Sequence, residues 1–109
     1  MFRKKSKKEY QDKANTLSKE RSVDKLVFKE ITKDSDVNEV CISIKKNFPV
    51  IINLEELDID EANKSLAYIC GFVDALDGEY IKITDTKYLF TKKEEFLDGS
   101  LKEFLEEIQ

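Results

Sequence analysis

The sequence contains no histidine and no tryptophan, and only three glycines, two cysteines and one proline in 109 residues. Without histidine, the Ser-His and Cys-His nucleophile pairs and histidine acid–base catalysis are excluded. Cys41 and Cys70 form no CxxC pair, which excludes zinc sites of the usual spacing. A glycine-rich phosphate loop is missing. No apolar run approaches the roughly 20 residues of a membrane-spanning helix, and the first residues lack the apolar stretch of a signal peptide.

The composition, 39% charged and 40% hydrophobic, is typical of a folded protein rich in regular structure. The length suits one compact domain with its own core. Both cysteines fall on the apolar faces of predicted helices, which favours buried free thiols in a reducing compartment. These features predict a cytoplasmic protein.

Charge divides the chain into two parts. Residues 1–21 carry eight Lys/Arg against three Asp/Glu, whereas residues 22–109 carry 11 against 20. The acidic part lacks the cations that neutralise phosphates, so nucleic acid is not an expected partner. The basic segment 1–21 admits two interpretations: a solvated tail, or a weak membrane contact. In the second, Phe2 inserts while Arg3, Lys4 and Lys5 lie among lipid head groups.

Apolar patterning over residues 22–109 predicts the element order β-α-β-α-β-β-α. Strands are expected at 25–31 and 49–54, a hairpin at 79–91, and helices from about Asp36 to Phe48, at 59–77 and at 101–108. Asp34, Ser35 and Asp36 each offer an N-cap for the first helix. Capping boxes are predicted at Asp36–Glu39, Asp58–Glu61 and Ser100–Glu103. The fold class is therefore α/β, a compact two-layer sandwich with helices packed on a small mixed sheet.

The long helix 59–77 has two apolar faces. At 100° per residue, one side gathers the residues that would cover the sheet: Ile59, Ala62, Leu66, Ile69, Cys70, Val73 and Leu76. The opposite side carries Ala67, Gly71 and Ala75, with Tyr68 and Phe72 beside them. Glycine costs roughly 1 kcal/mol relative to alanine inside a helix, so Gly71 implies a closely approaching neighbour. That neighbour is either a second copy of the chain or helix 101–108 folded back, and both stay open.

The strands also carry apolar residues on both alternating faces. Tyr80 alternates with Ile81, and Tyr88 and Phe90 alternate with Leu89. One face would meet the helices, which leaves an apolar opposite face that we expect to be a second interface. The acids between Glu55 and Glu61 are interpreted as solvated helix-start residues rather than as a metal site. Nothing in the sequence argues for an enzyme or a cofactor.

The stretch VIINLEELDIDEANKSLAYICGFVDALDGEYIKITDTKYLFT resembles the C-terminal domain of the SepF family, bacterial cell division proteins that link FtsZ filaments to the membrane. The family pattern is a VVVNL-like strand, an AKRIVDFLSG-like helix, a VYAL-containing turn with a glycine, and a hairpin that ends in IFLxTP. These pieces correspond to Val50–Leu54, Ala62–Gly71, Val73–Gly78 and Lys87–Lys92. With looser similarity upstream, the resemblance covers residues 25–108.

The resemblance implies a domain that dimerises, assembles further and binds the C-terminal peptide of FtsZ. It places Gly71 at a helix-mediated contact between protomers, so the expected self-association residues are Ala67, Gly71, Phe72 and Ala75. The expected partner-binding residues are Lys64, Tyr68, Tyr88 and Phe90. The sequence thus predicts a non-enzymatic cytoplasmic adaptor. Under the second interpretation of segment 1–21, it would be peripheral at the inner face of the membrane at the division site. The alternative is a small regulatory or ligand-binding α/β domain with an unrelated protein partner.

Overall fold

A computed structural model describes residues 21–108 of the chain, so the membrane residues predicted at Phe2, Arg3, Lys4 and Lys5 lie outside the described residues. A 3-10 helix spans Ser22–Lys25. The strands are β1 (Val27–Glu30), β2 (Val50–Asn53), β3 (Gly78–Lys82) and β4 (Lys87–Lys92). The helices are α1 (Asp34–Lys45), α2 (Ile59–Ala75), α3 (Lys93–Phe96) and α4 (Ser100–Ile108). The predicted order is confirmed, with the one-turn helix α3 added before α4.

The four strands form one mixed sheet in the order β1-β2-β4-β3. β1 and β2 are parallel, and β4 runs antiparallel to both β2 and β3. The two inner strands carry the most apolar segments, because β2 contributes Val50, Ile51 and Ile52, all of them buried. The α/β class with a small mixed sheet is therefore as the sequence predicts.

Helices α1 and α2 cover one face of the sheet and enclose the larger core. Register places Val50 opposite Phe90 on this face, and Ile52 opposite Tyr88. From the helices, Val40 and Ile44 of α1 and Ile69 and Val73 of α2 complete the layer, each with 1% or less of its surface exposed. Burial of such side chains contributes roughly 1.5–3 kcal/mol each, so this layer is the main source of the fold's stability.

The other face of the sheet is covered by α4. This excludes one of the two alternatives for the neighbour of Gly71 and corrects the expectation of an open sheet face. Leu101 and Leu105 of α4 pack on Ile51 and Leu89, and all four side chains are buried. Helix 101–108 therefore does not fold back over the second face of α2. The sheet face expected to be an open interface is also covered wherever α4 lies on it.

The N-terminus of α1 differs from its predicted capping box, whereas that of α2 shows the Asp58 half of its predicted box. Asp58 accepts a hydrogen bond from the Glu61 backbone N–H at 2.9 Å, as predicted. In contrast, α1 begins at Asp34 with Lys33 as its N-cap, so none of the predicted caps Asp34, Ser35 and Asp36 holds that position, and Asp36 lies within the first turn. The Asp36 carboxylate accepts from the Thr32 backbone N–H and hydroxyl at 2.9 and 3.0 Å. These bonds from Thr32, together with the Lys33 backbone N–H, lower the pKa of Asp36 from 3.8 to about 2.

Asp98 connects the start of α4 to the 3-10 helix. One carboxylate oxygen accepts from the Ser100 backbone N–H and hydroxyl, and the other accepts from the Ser22 backbone N–H at 2.8 Å. Ser100 is the first residue of α4 rather than its cap, and its hydroxyl accepts from the Val23 backbone N–H at 3.0 Å. Burial opposes the charge on Asp98, but the hydrogen bonds from Ser22 and Ser100 prevail and lower its pKa to about 2.

Asp36 should make the fold sensitive to acid. Its pKa of about 2 in the folded chain lies below its ordinary value of 3.8. The stabilisation is therefore complete above about pH 4, and it is lost as the pH falls from about 4 through 2. We expect Asp36→Asn to lower the free energy of unfolding at pH 7 and to flatten its fall between pH 4 and pH 2. Urea unfolding at several pH values measures this, with the exposed Asp34→Asn as control. A slope unchanged from the wild type would contradict the expectation.

Candidate functional site

The outer side of α2 is open in the described part of the chain. Ala67, Gly71 and Ala75 are exposed at successive helical turns, as the periodicity predicts. A Cβ atom added at Gly71 would meet no atom within 4 Å other than those of its chain neighbours and of the adjoining helix backbone. Phe72 is half-buried and packs against the core between α2 and the sheet, so it contributes only part of its ring to this side. Of the two neighbours that Gly71 admits, α4 is excluded by its position across the sheet.

Gly78, in contrast to Gly71, is a glycine that the packing of the domain requires. Gly78 begins β3 shortly after α2 ends, and a Cβ atom there would lie 2.5 Å from the Thr91 carbonyl oxygen and 2.7 Å from Val73 Cγ1. The packing of β3 against β4 and α2 therefore requires glycine at 78. No contact within the described chain requires it at Gly71.

Tyr80 borders the open side of α2, and sequence reasoning did not select it. It lies on the edge strand β3, is 44% exposed, and its ring centroid is 5.7 Å from that of Phe90. Asp74 of α2, followed by Cys70, raises the pKa of the Tyr80 phenol, which places this side chain beside the helix. The place of Tyr80 next to Phe90 follows only from the pairing register of β3 and β4. The apolar alternation within one strand does not show which strand lies beside it.

A groove of about 290 Å³ lies between α1 and α2. Lys64 and Tyr68 of α2, both predicted partner-binding residues, line it together with the buried Ser65. Residues from α1 form the opposite wall: Asp34, Val37 and Asn38. Tyr68 is 59% exposed and Val37 only 7% exposed, so the groove offers an aromatic ring and a cation above an apolar floor. Such a site suits a peptide with an apolar anchor and an acidic group.

The other two predicted partner-binding residues lie on β4 and do not line this groove. Phe90 is completely buried in the core beneath α1 and α2, so it offers no surface to a partner, and this prediction is corrected. Tyr88 is half-buried and stacks on Phe90, with ring centroids 6.4 Å apart. Sequence alternation correctly placed both rings on one face of the strand, but it could not show that the helices cover that face.

Residues 21–108 meet none of the requirements of a reactive thiol, a metal site or a membrane-spanning helix. Both cysteines are free, Cys41 buried and Cys70 half-buried, and burial raises the pKa of each thiol. A raised pKa leaves little thiolate at neutral pH, so neither is an activated nucleophile. In this part of the chain no three Cys, Asp or Glu side chains gather as a metal ion would require. Nor is any of the helices described here long and apolar enough to cross a membrane.

Comparison with known proteins gives one consistent family. A family model described as "Cell division protein SepF" matches residues 26–94. Cell division protein SepF of Lactobacillus gasseri is 34% identical over 82 residues, which are 75% of this chain and 57% of that protein. SepF of Natranaerobius thermophilus is 33% identical over 70 residues, 64% of this chain and 42% of that protein. The chain thus spans about half the length of the relatives it matches.

A solved structure agrees with these matches. The SepF-like protein from Pyrococcus furiosus aligns with a TM-score of 0.53 and 25% sequence identity. The alignment covers 63% of this chain and 89% of that one. The similarity therefore extends from the sequence to the α/β fold.

The open surroundings of Gly71 and the crowded surroundings of Gly78 predict opposite effects of an alanine substitution at these two positions. Gly71→Ala should raise the free energy of unfolding by about 0.5–1 kcal/mol, because alanine is the better helix former and its methyl group meets open space. Gly78→Ala, the matched control, should lower it, because its methyl group would overlap Thr91 and Val73. Urea unfolding at a protein concentration below self-association measures both. A Gly71→Ala protein less stable than the wild type would show that the chain itself packs on this side of α2.

Proposed function

This chain belongs to the SepF family of cell division proteins, and on that premise we propose that it is a non-enzymatic division adaptor that self-associates and binds the C-terminal peptide of FtsZ. The observation that carries the proposal is the exposure of α2, whose outer side supplies both a flat open face and one wall of a groove. The exposed residues of these two surfaces take no part in the core of the domain: Ala67, Gly71 and Ala75 on the face, and Lys64 and Tyr68 at the groove. One helix therefore serves two contacts, with a second protomer and with a peptide.

Self-association is proposed through the stripe Ala67, Gly71 and Ala75, with the exposed part of Phe72 at its side. The residues of this stripe have no side-chain atoms beyond Cβ, so two helix backbones can approach closely. This contact would compensate for the low helix propensity of glycine. A second copy offers the same stripe, so a two-fold axis passing near Gly71 would pair the stripe with itself. Tyr80 borders the stripe and would lie at the rim of this contact.

Peptide binding is proposed in the groove between α1 and α2. Lys64 supplies a positive charge, Tyr68 a largely exposed ring, and Val37 the apolar floor. An aromatic anchor and a cation placed together give a short peptide both contact area and orientation. Tyr88 stays a candidate for the margin of the bound peptide, because part of its side chain is exposed.

Membrane contact is proposed through segment 1–21, whose basic residues include Arg3, Lys4 and Lys5 next to Phe2. Each cation near an anionic leaflet contributes roughly 1 kcal/mol, and one inserted aromatic ring adds a weak anchor. The adaptor would then be peripheral at the inner face of the cell membrane at the division site.

Lys64→Glu should weaken binding of the FtsZ C-terminal peptide of the same organism by at least about tenfold, or about 1.4 kcal/mol, because it reverses the charge at the groove. Lys102→Glu is the matched control, since Lys102 is exposed on α4 across the sheet. Calorimetric titration of the full chain measures both. A Lys64→Glu protein that binds the peptide as tightly as the wild type would show that the groove is not the binding site. A folded wild-type protein that does not bind the peptide would favour the regulatory domain with another partner.

Gly71→Lys should reduce the assembly to monomers, because a long charged side chain cannot be accommodated where two helix backbones meet. Glu106→Lys introduces the same side chain on the exposed surface of α4 and should leave the mass unchanged. Light scattering coupled to size exclusion measures the oligomeric mass of each full-length protein. A Gly71→Lys protein that keeps the wild-type mass would disprove association through this side of α2.

A further inference from the structure

Beyond the end of α4, the second face of the sheet is not covered by the described chain. A groove of about 630 Å³ opens there, with Ile51 in its floor and Phe28 of β1 on one wall. Phe28 is 67% exposed, and its ring centroid is 6.4 Å from that of Phe104 of α4 in an edge-on arrangement. Ile83 and the 49% exposed Ile108 also line the groove. This apolar surface takes no part in the proposed contacts of α2.

A second depression runs along the flank of α4 and adjoins this groove. It is lined on one side by Arg21 and Asp24 and on the other by Glu103, Phe104 and Glu107. Phe104 lines both depressions, so together they form a track from Arg21 along α4 to Phe28. The track begins at an acidic flank and ends in an apolar groove whose rim also carries Lys29, Glu30 and Lys87.

The described chain begins at the acidic end of this track. Asp24 raises the pKa of Arg21, chiefly through its hydrogen bond, and Glu103 and Asp98 add to the effect. The 20 residues before Arg21 carry seven Lys/Arg against three Asp/Glu, and the nearest large apolar residue among them is Leu17. The positive charge of this segment and its attachment at Arg21 therefore both favour contact with the track.

We propose that segment 1–20 of the same chain binds this track, with Lys19 beside Glu107 and Leu17 in the groove at Phe28. Glu107 lies one helical turn beyond Glu103, which is about 6 Å along α4. Two residues of chain reach about 6.6 Å, enough to bring Lys19 from Arg21 to Glu107. Two more residues bring Leu17 past the end of α4 to the apolar groove. While it is bound there, the basic segment cannot bind another anionic surface. The contact with the track therefore competes with such binding.

A nitroxide attached near Leu17 tests the proposal in the full chain. Ala14→Cys carries the label in a Cys70→Ser background, while the buried Cys41 is left in place. We expect the amide signals of Ile83, Phe104 and Ile108 to lose more than half of their intensity relative to the reduced nitroxide. Those of Lys64 and Ala67, on the far side of the sheet, should keep theirs. Equal intensities at both sets of amides would overturn the proposal.

Two controls make the assignment specific. Glu103→Gln with Glu107→Gln should restore the signals of the groove, whereas Glu61→Gln with Glu106→Gln, two exposed glutamates that do not line the track, should not. Restoration by both pairs, or by neither, would contradict binding at the acidic flank of α4. Mixing labelled protein with unlabelled, isotope-enriched protein should give no loss of signal. A loss in the mixture would assign the groove to the segment of another copy.

Discussion

Three consecutive residues of β2 hold the two halves of the structure together. Val50 and Ile52 face the core under α1 and α2, whereas Ile51 faces α4, and all three are buried. A strand that is apolar on both faces can only be central, and it obliges the chain to supply helices on both sides of the sheet. Within residues 21–108, the outer side of α2 is therefore left open, because the apolar helix α4 is needed across the sheet at Ile51.

Strand order explains why α1 and α2 come to lie side by side. β1 is parallel to β2, and β2 and β3 run in one direction because both are antiparallel to β4. The two crossovers progress the same way across the sheet, so their common right-handedness places both helices on one face. The groove with Lys64 and Tyr68 follows from that adjacency and not from any motif within α2. A site of this kind depends on the topology of the whole domain.

Local patterns therefore predicted the elements and the open side of α2, but not what covers each face. The 3.6-residue period of α2 correctly separated Gly71 from the buried Ile69 and Val73, because a helix surface is fixed by sequence spacing alone. The same reasoning assigned Ile59 to the core, yet it is 76% exposed at the first turn of the helix. Phe90 was misassigned for a different reason, since alternation defines two faces without showing which of them the helices occupy. Pairing and layer order, which are long-range, decide that.

The short helix α4 determines which apolar surface of the domain stays exposed. By covering Ile51 and Leu89 it removes most of an apolar sheet face that would otherwise compete with the self-association surface proposed on α2. Its position is fixed at its first turn, where Asp98 accepts hydrogen bonds from both Ser22 and Ser100. The start of the described chain is thereby held against α4, close to the carboxylates of its flank. Arg21 thus lies beside α4, on the face of the sheet opposite to α2, which separates the first described residue from the open side of α2.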